Sequence, residues 1–181
     1  MNTETDRLRI INFDGDDWQA LQKTIIDKEK SKYAHMDHTW PTDSEKIKEI
    51  CNWFSQGDEF LAVRTKDEDL LIGFICLNNT DSPKVKNLGY CLHSSHQGKG
   101  FALEACTALL KKAFENEEIE KIITGTGLAN SPSVGLLEKL GFVLISKSKV
   151  HFRSDSDGNP MFFEGGLFEL TKERWQNHAK L

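Results

Sequence analysis

Cysteine is scarce and poorly placed for chemistry. Cys51, Cys76, Cys91 and Cys106 are widely separated, with no C-x-x-C pair and no Cys/His spacing that suits a metal. That argues against a disulfide scaffold and a zinc module, and no metal is expected. The pattern reads as reduced thiols in a cytoplasmic protein, three of them in the core. No apolar run approaches the roughly 18–20 residues that span a bilayer, so no membrane association is expected. Met1 to Asp6 is acidic and polar, unlike a secretory signal. Positive charge is also short: 23 Lys and Arg against 28 Asp and Glu leave a formal charge of −5, with both signs interspersed. Such a surface offers no footprint for nucleic acid and no polybasic membrane patch. The four prolines are scattered. Without linker or repeat, residues 1–181 read as a single domain, long enough for a proper core.

What is present alternates between strand-like and helix-like runs. Leu8, Ile10, Ile11 and Phe13 predict a strand over about 6–12, broken by Asp14-Gly15-Asp16. Asp14 or Asp16 can cap a helix carrying Trp18, Leu21, Ile25 and Ile26 at helical spacing. A second helix follows Thr42, Asp43 or Ser44, with Ile47, Ile50, Cys51 and Phe54 inward and Gly57 ending it. Strands are predicted over 60–64, 70–77 and 85–93, the first two joined as a hairpin by Lys66-Asp67-Glu68-Asp69. Cys106, Leu109, Leu110, Ala113 and Phe114 then recur at i, i+3, i+4, i+7, i+8, one face of a helix packed on the core. A short strand over 121–126 and a helix opened by Asn130-Ser131-Pro132 and stopped by Gly141 come next. A terminal hairpin, 142–150 with 161–170, turns at Asp155-Ser156-Asp157-Gly158-Asn159-Pro160. A polar tail with Trp175 suggests a last helical turn. The order βααβββαβαββ describes a mixed α/β sheet.

The most informative stretch is His96-Gln97-Gly98-Lys99-Gly100-Phe101-Ala102-Leu103-Glu104-Ala105, a glycine turn between a strand and a helix N-terminus. The first N–H groups of a helix lack internal partners and carry partial positive charge. Glycine lets the backbone adopt positive φ and approach a ligand closely. Gln97 and Lys99 add side-chain donors. The product is an anion cradle suited to phosphate. It is neither a Walker A loop nor a dinucleotide fingerprint, because no Ser or Thr follows a Gly-Lys pair in frame and G-x-G-x-x-G is absent.

Gln97-x-x-Gly100-x-Ala102 resembles the acyl-CoA pyrophosphate loop of the GNAT superfamily of N-acetyltransferases. Asn130-Ser131-Pro132-Ser133 followed by Leu137-Glu138-Lys139-Leu140-Gly141-Phe142 resembles the superfamily's Asn-containing turn, helix and closing Gly-Phe. The two matches stand in the right order, and the element order fits from about Arg7 to Leu170. Gly89-Tyr90-x-Leu92-His93 and the Lys-Gly-Phe-Ala-x-Glu-Ala run look most like the branch that includes ribosomal-protein alanine acetyltransferases. The resemblance implies a mixed, mostly antiparallel central sheet flanked by helices, with its fourth and fifth strands splayed.

It also implies a function, acetyl transfer from acetyl-CoA as co-substrate to a primary amine by direct attack on the thioester. The acceptor is a protein N-terminus or a small amine. In that reading the pantetheine arm pairs with the backbone of Cys91, Leu92 and His93. The pyrophosphate sits on Gln97, Gly98, Lys99, Gly100, Phe101 and Ala102, and Asn130 and Ser133 contact the cofactor. Leu92 N–H stabilises the oxyanion. The family often has a tyrosine four residues into the last of these helices; here that position is Leu137, which leaves the general acid open among Ser133, Cys91 and water. His93 and Glu59 are candidate bases. Tyr33, His35, Asp37, His38 and Trp40, between the first two helices, are candidate acceptor-site residues able to recognise an amine by charge and cation–π contact. Helix capping is the alternative role for Asn130 and Ser133, a solvated strand end for His93, and an ordered surface loop for residues 33–41. The alternative function is a non-catalytic acyl-CoA-binding or protein-interaction module on the same fold. Both a monomer and a homodimer fit the sequence.

Overall fold

The structure, a computed structural model, describes residues 2–178. Its strands are β1 (Thr3–Glu4), β2 (Leu8–Asn12), β3 (Phe60–Thr65), β4 (Leu71–Asn79), β5 (Val85–Leu92), β6 (Lys121–Gly127), β7 (Val143–Val150) and β8 (Phe163–Thr171). Its helices are α1 (Trp18–Glu29), α2 (Ser44–Gln56), α3 (Phe101–Phe114), α4 (Ser131–Lys139) and α5 (Lys172–His178). Short 3-10 turns cover Gly15–Asp17, Ala34–Met36 and Ser94–His96.

Among the described residues the strands form one eight-stranded sheet in the order β1-β2-β3-β4-β5-β6-β8-β7. Every neighbouring pair is antiparallel except β5 and β6. β4 lies in the middle and is buried from Leu71 to Leu77. Its unbroken apolar run is what a strand covered on both faces requires. On one face α1 and α2 bury Leu21, Ile25, Ile47, Cys51 and Phe54 against Ala62, Leu71 and Phe74. On the other, α3 sets Ala105, Cys106, Leu109, Leu110 and Ala113 against Leu61, Ile75, Leu88 and Ile122, with Leu137 of α4 in the same cluster.

The helix starts follow the capping residues. Asp14 closes a capping box with Asp17 around the Gly15–Asp17 turn that leads into α1. Asp43 caps α2, accepting from the Lys46 N–H at 3.0 Å. Asn130 caps α4, so Ser131 is the first helical residue and Pro132 the second. The sequence did not announce β1, whose two residues pair with Arg9 and Ile10. The tail forms the seven-residue α5, and Trp175 stacks on Phe114 at 6.1 Å. The return strand of the terminal hairpin begins at Phe163, not Met161, because an isolated bridge between Ser154 and Pro160 extends the turn. Cys51, Cys76 and Cys106 are buried and Cys91 is partly buried.

Candidate active site

β5 and β6 pair only at Val85↔Lys121, Lys86↔Ile122 and Asn87↔Ile123. Beyond that point β5 stays on β4 as far as Leu92 and β6 stays on β8 as far as Gly127. The two strands therefore part, as the splayed pair was expected to do. Ladder parity decides which groups of β5 face the gap. The His93 N–H donates to Ile72 C=O at 2.9 Å, toward β4. In an antiparallel ladder alternate residues turn their N–H and C=O to opposite edges. Leu92, Tyr90 and Leu88 therefore turn theirs to the gap, and Cys91 and His93 do not. This corrects the expectation that the backbone of Cys91 to His93 serves as one run. Gln97 Nε2 donates to the Leu92 carbonyl at 2.8 Å, so its side chain ties the loop to the strand end and is not a free phosphate donor. The Leu92 N–H is left to the gap. Gly73 sits against Cys91 and Leu92 so closely that no Cβ fits there.

The glycine turn opens beside the gap. Gly98 (φ 72°) and Gly100 (φ 82°) both occupy the left-handed region, where any other residue is strained. The first helical bond is Glu104 N–H to Gly100 C=O at 3.0 Å. Among the described residues, none of the N–H groups from Gly98 to Leu103 has a partner. Six successive donors at a helix N-terminus fit a pyrophosphate. The turn is clamped from the far end of the chain. Arg7 donates from Nη1 to the Lys99 carbonyl at 3.0 Å and from Nε to Glu104 Oε2 at 2.7 Å. Its guanidinium also lies 4.5 Å over the Phe101 ring. Thr5 Oγ1 (2.5 Å) and the Arg7 N–H (3.0 Å) donate to Glu104 Oε1. Burial alone would raise the Glu104 carboxyl, but these bonds and the Arg7 charge hold it below its usual range.

Past Leu92, His93 heads the Ser94–His96 turn. Its Nδ1 meets Ser95 Oγ at 2.8 Å, and its Nε2 faces Asp27 Oδ1 of α1 at 4.0 Å. Asp27 also accepts from Ser94 N–H (2.8 Å) and Ser94 Oγ (2.7 Å). Against the cost of burial, those bonds and the His93 charge hold the Asp27 carboxyl low. Across the gap, Tyr90 Oη and Ser133 Oγ lie 2.7 Å apart, linking β5 to the first turn of α4. Burial pushes the Tyr90 phenol up. Asn130 spends its side-chain oxygen on the Ser133 N–H at 3.4 Å, which is the capping role.

Glu59 is not brought to this place. Its carbonyl accepts from Leu77 N–H, whereas His93 is level with Ile72. Five residues along β4 separate them, roughly 17 Å at the rise of a strand. The Glu59 carboxylate is held there by Asn79.

The segment between α1 and α2 is pinned by an ion pair outside it. Arg153 donates to Glu29 at 2.7 and 3.0 Å, and to the carbonyls of Asp37 (2.8 Å) and His38 (3.0 Å). Burial opposes ionisation of Glu29, but the Arg153 and Trp40 bonds keep its carboxyl low. Lys28 reaches Asp37 at 3.0 Å and lies 5.7 Å from the Trp40 ring, which packs on Phe74 at 5.7 Å. His38 packs on Phe152 (4.4 Å) and His35 on Phe163 (6.2 Å). Tyr33 is covered by Lys32 at 4.9 Å. Met36 covers Gly127 at the end of β6. The loop thus spans the mouth of the gap, facing the terminal hairpin.

Arg7, Asp27, Glu29, Tyr90, Glu104 and Arg153 were not singled out from the sequence. Tyr90 and Glu104 stood inside the motifs that carry the resemblance, without a role, and Tyr90 also shares the strand parity of Leu92. Arg7 and Glu104 lie 97 residues apart and Glu29 and Arg153 lie 124 apart, so no local pattern links them.

Residues 7–143 match the acetyltransferase (GNAT) domain family. An uncharacterised N-acetyltransferase of Bacillus subtilis, YnaD, is 28% identical over 141 residues, 78% of this chain and 82% of its own. A ribosomal-protein-serine acetyltransferase of Escherichia coli is 32% identical over 78 residues, 42% of this chain and 44% of its own. The solved ribosomal-protein-S5-alanine acetyltransferase of Vibrio fischeri superposes with a TM-score of 0.78 at 19% identity, covering 97% of this chain and 98% of that one.

Proposed function

The chain belongs to the GNAT acetyltransferase family, and from that premise we propose that it acetylates a primary amine, at a protein N-terminus or on a small molecule, by direct attack on acetyl-CoA. Membership implies acetyl transfer from acetyl-CoA; the acceptor and the residue roles below are our reading. One observation carries it: β5 and β6 part after Asn87 and Ile123, beside six unpaired N–H groups from Gly98 to Leu103. A gap with free strand donors suits the pantetheine arm, and the cradle suits the pyrophosphate. Bound there, acetyl-CoA supplies the activated acetyl group.

The chain's own part is to bind, orient and hold protons. Leu92 N–H is the donor available to a developing oxyanion. His93 is the base in this reading: Nδ1, which accepts from the Ser95 N–H at 3.3 Å in the resting structure, is the nitrogen whose lone pair takes the amine's proton once that contact opens, and Asp27, 4.0 Å from Nε2, steadies the resulting charge. A protein α-amine (pKa ~7.7–8) asks less of that base than a lysine (~10.4), which favours an N-terminal acceptor. The likeness to ribosomal-protein acetyltransferases points the same way. The 33–41 loop supplies the acceptor side, with the partly buried His35, the exposed His38 and the hairpin aromatics as its chemistry. Glu59 takes no part.

Calorimetric titration with acetyl-CoA, CoA and ATP tests the cofactor site. Micromolar binding of acetyl-CoA, weakened at least tenfold by Gly100→Leu, is the expected result; no binding overturns the reading. Thiol release on a panel of peptides and small amines then tests turnover. Binding without turnover would favour the non-catalytic module, which one observation supports: Leu137, where the family often has tyrosine, is wholly buried in the core.

A further inference from the structure

We propose that Tyr90 is a positioning residue for this transfer, its phenolic O–H fixing the Ser133 hydroxyl so that the serine proton points into the gap between β5 and β6. The inference rests on the acetyl-CoA reading above. Tyr90 stands on β5 two residues before Leu92 and shares its parity, so its backbone faces the gap while its side chain packs on the α3 face of the core. Ser133 stands in the first turn of α4, which follows β6. Their oxygens meet at 2.7 Å. The bond therefore spans the place where the two strands have parted.

Its direction follows from the surroundings. Ser133 Oγ is the only hydrogen-bond partner of the Tyr90 phenol among the described residues. The Tyr90 ring packs on the α3 face of the core, and its phenol is the more acidic of the two hydroxyls and so the better donor. With tyrosine as donor both needs are met: the phenol is satisfied, and the serine O–H is free to turn outward. The raised Tyr90 phenol agrees, since it stays protonated. The backbone of Ser133 is itself held by Asn130 at 3.4 Å.

The proton balance sets what this hydroxyl does. As the amine nitrogen bonds to the acetyl carbon and the C–S bond breaks, nitrogen sheds one proton and sulfur gains one. A thiol ionises near ~8.5 and a phenol near ~10, so neither Tyr90 nor Ser133 gives up its proton outright. Ser133 instead donates a hydrogen bond to the departing thiolate, at a helix N-terminus that favours negative charge. The proton from nitrogen reaches sulfur through solvent. This supplies the leaving-group donor that Leu137 cannot.

The test compares Tyr90→Phe, Ser133→Ala and the double variant with the wild-type protein. Two readouts are needed. First, CoA and desulfo-CoA are titrated calorimetrically at pH 7 and pH 9.5. The wild type should gain affinity for CoA over desulfo-CoA as the thiol ionises, and all three variants should lose that gain. Second, each single variant should lower kcat about tenfold with the KM for acetyl-CoA within twofold, and the double variant should fall no further. A packing role for Tyr90 would instead raise KM or lower the melting temperature. The proposal is overturned if Tyr90→Phe keeps the wild-type gain while Ser133→Ala loses it, or if the two kcat effects multiply. If the wild type binds no acetyl-CoA, the acetyltransferase reading itself fails; if it binds and turns over but Tyr90→Phe is silent, only this inference does.

Discussion

Gly98 and Gly100 share a left-handed backbone but differ in what surrounds them. A Cβ at Gly98 would meet nothing within 4 Å, whereas one at Gly100 would lie 3.3 Å from Arg7 Nη2. Gly98→Ala should therefore cost only backbone strain, about 1–2 kcal/mol. Gly100→Ala adds displacement of Arg7 and should weaken acetyl-CoA several-fold more than Gly98→Ala does. Thermal melts and titration of the pair of variants check both. Arg7→Ala tests the clamp itself. With the Lys99 carbonyl and Glu104 released, affinity for acetyl-CoA should fall about tenfold. Arg7→Lys should recover little, because a lysine cannot reproduce the forked donors.

At the scale of elements, the Glu29–Arg153 pair joins three parts that share no sheet contact: the end of α1, the 33–41 loop and the terminal hairpin. Both side chains are only about one-seventh exposed, at 14% and 16%. Breaking such a pair leaves a charge poorly solvated and costs about 3 kcal/mol. Arg153→Ala should lower the melting temperature and raise amide exchange across 33–41. It should raise the KM for the amine more than that for acetyl-CoA, since the cradle is clamped separately by Arg7. Equal loss of both would show that loop and cradle are not independent.

Across the whole molecule, charge and thiol chemistry both follow burial. Asp27, Glu29 and Glu104 have carboxyls held below their ordinary values of 3.8, 4.5 and 4.5. A group depressed in the folded state lends stability that is complete above its unfolded value and is lost as pH falls through the folded one. Stability should thus be flat with respect to these groups above about pH 5 and fall below about pH 4, and Glu29→Gln should flatten that slope in urea titrations at several pH values. Burial likewise pushes the Cys51 thiol up to about 11 and those of Cys76, Cys91 and Cys106 up to about 12. Little thiolate exists at pH 8, so iodoacetamide should label the native protein slowly and the urea-unfolded chain fast at all four positions.

Local pattern determined a good deal. The period of Cys106, Leu109, Leu110 and Ala113 specified α3, the Asp43 and Asn130 caps specified helix starts, and Gly98 and Gly100 specified the cradle, because each depends on neighbours within a turn or two of the chain. Strand parity was in principle readable too, and would have moved attention from Cys91 and His93 to Leu92 and Tyr90. The tertiary structure decided the rest. Glu59 and His93 both flank strands, yet only the β3–β4–β5 register puts them at opposite ends. Arg7 meets Glu104, Arg153 meets Glu29 and Tyr90 meets Ser133 through folding that brings distant segments together. A charge or hydroxyl can find such a partner at any sequence separation, so its choice is fixed by packing and leaves no mark in local sequence.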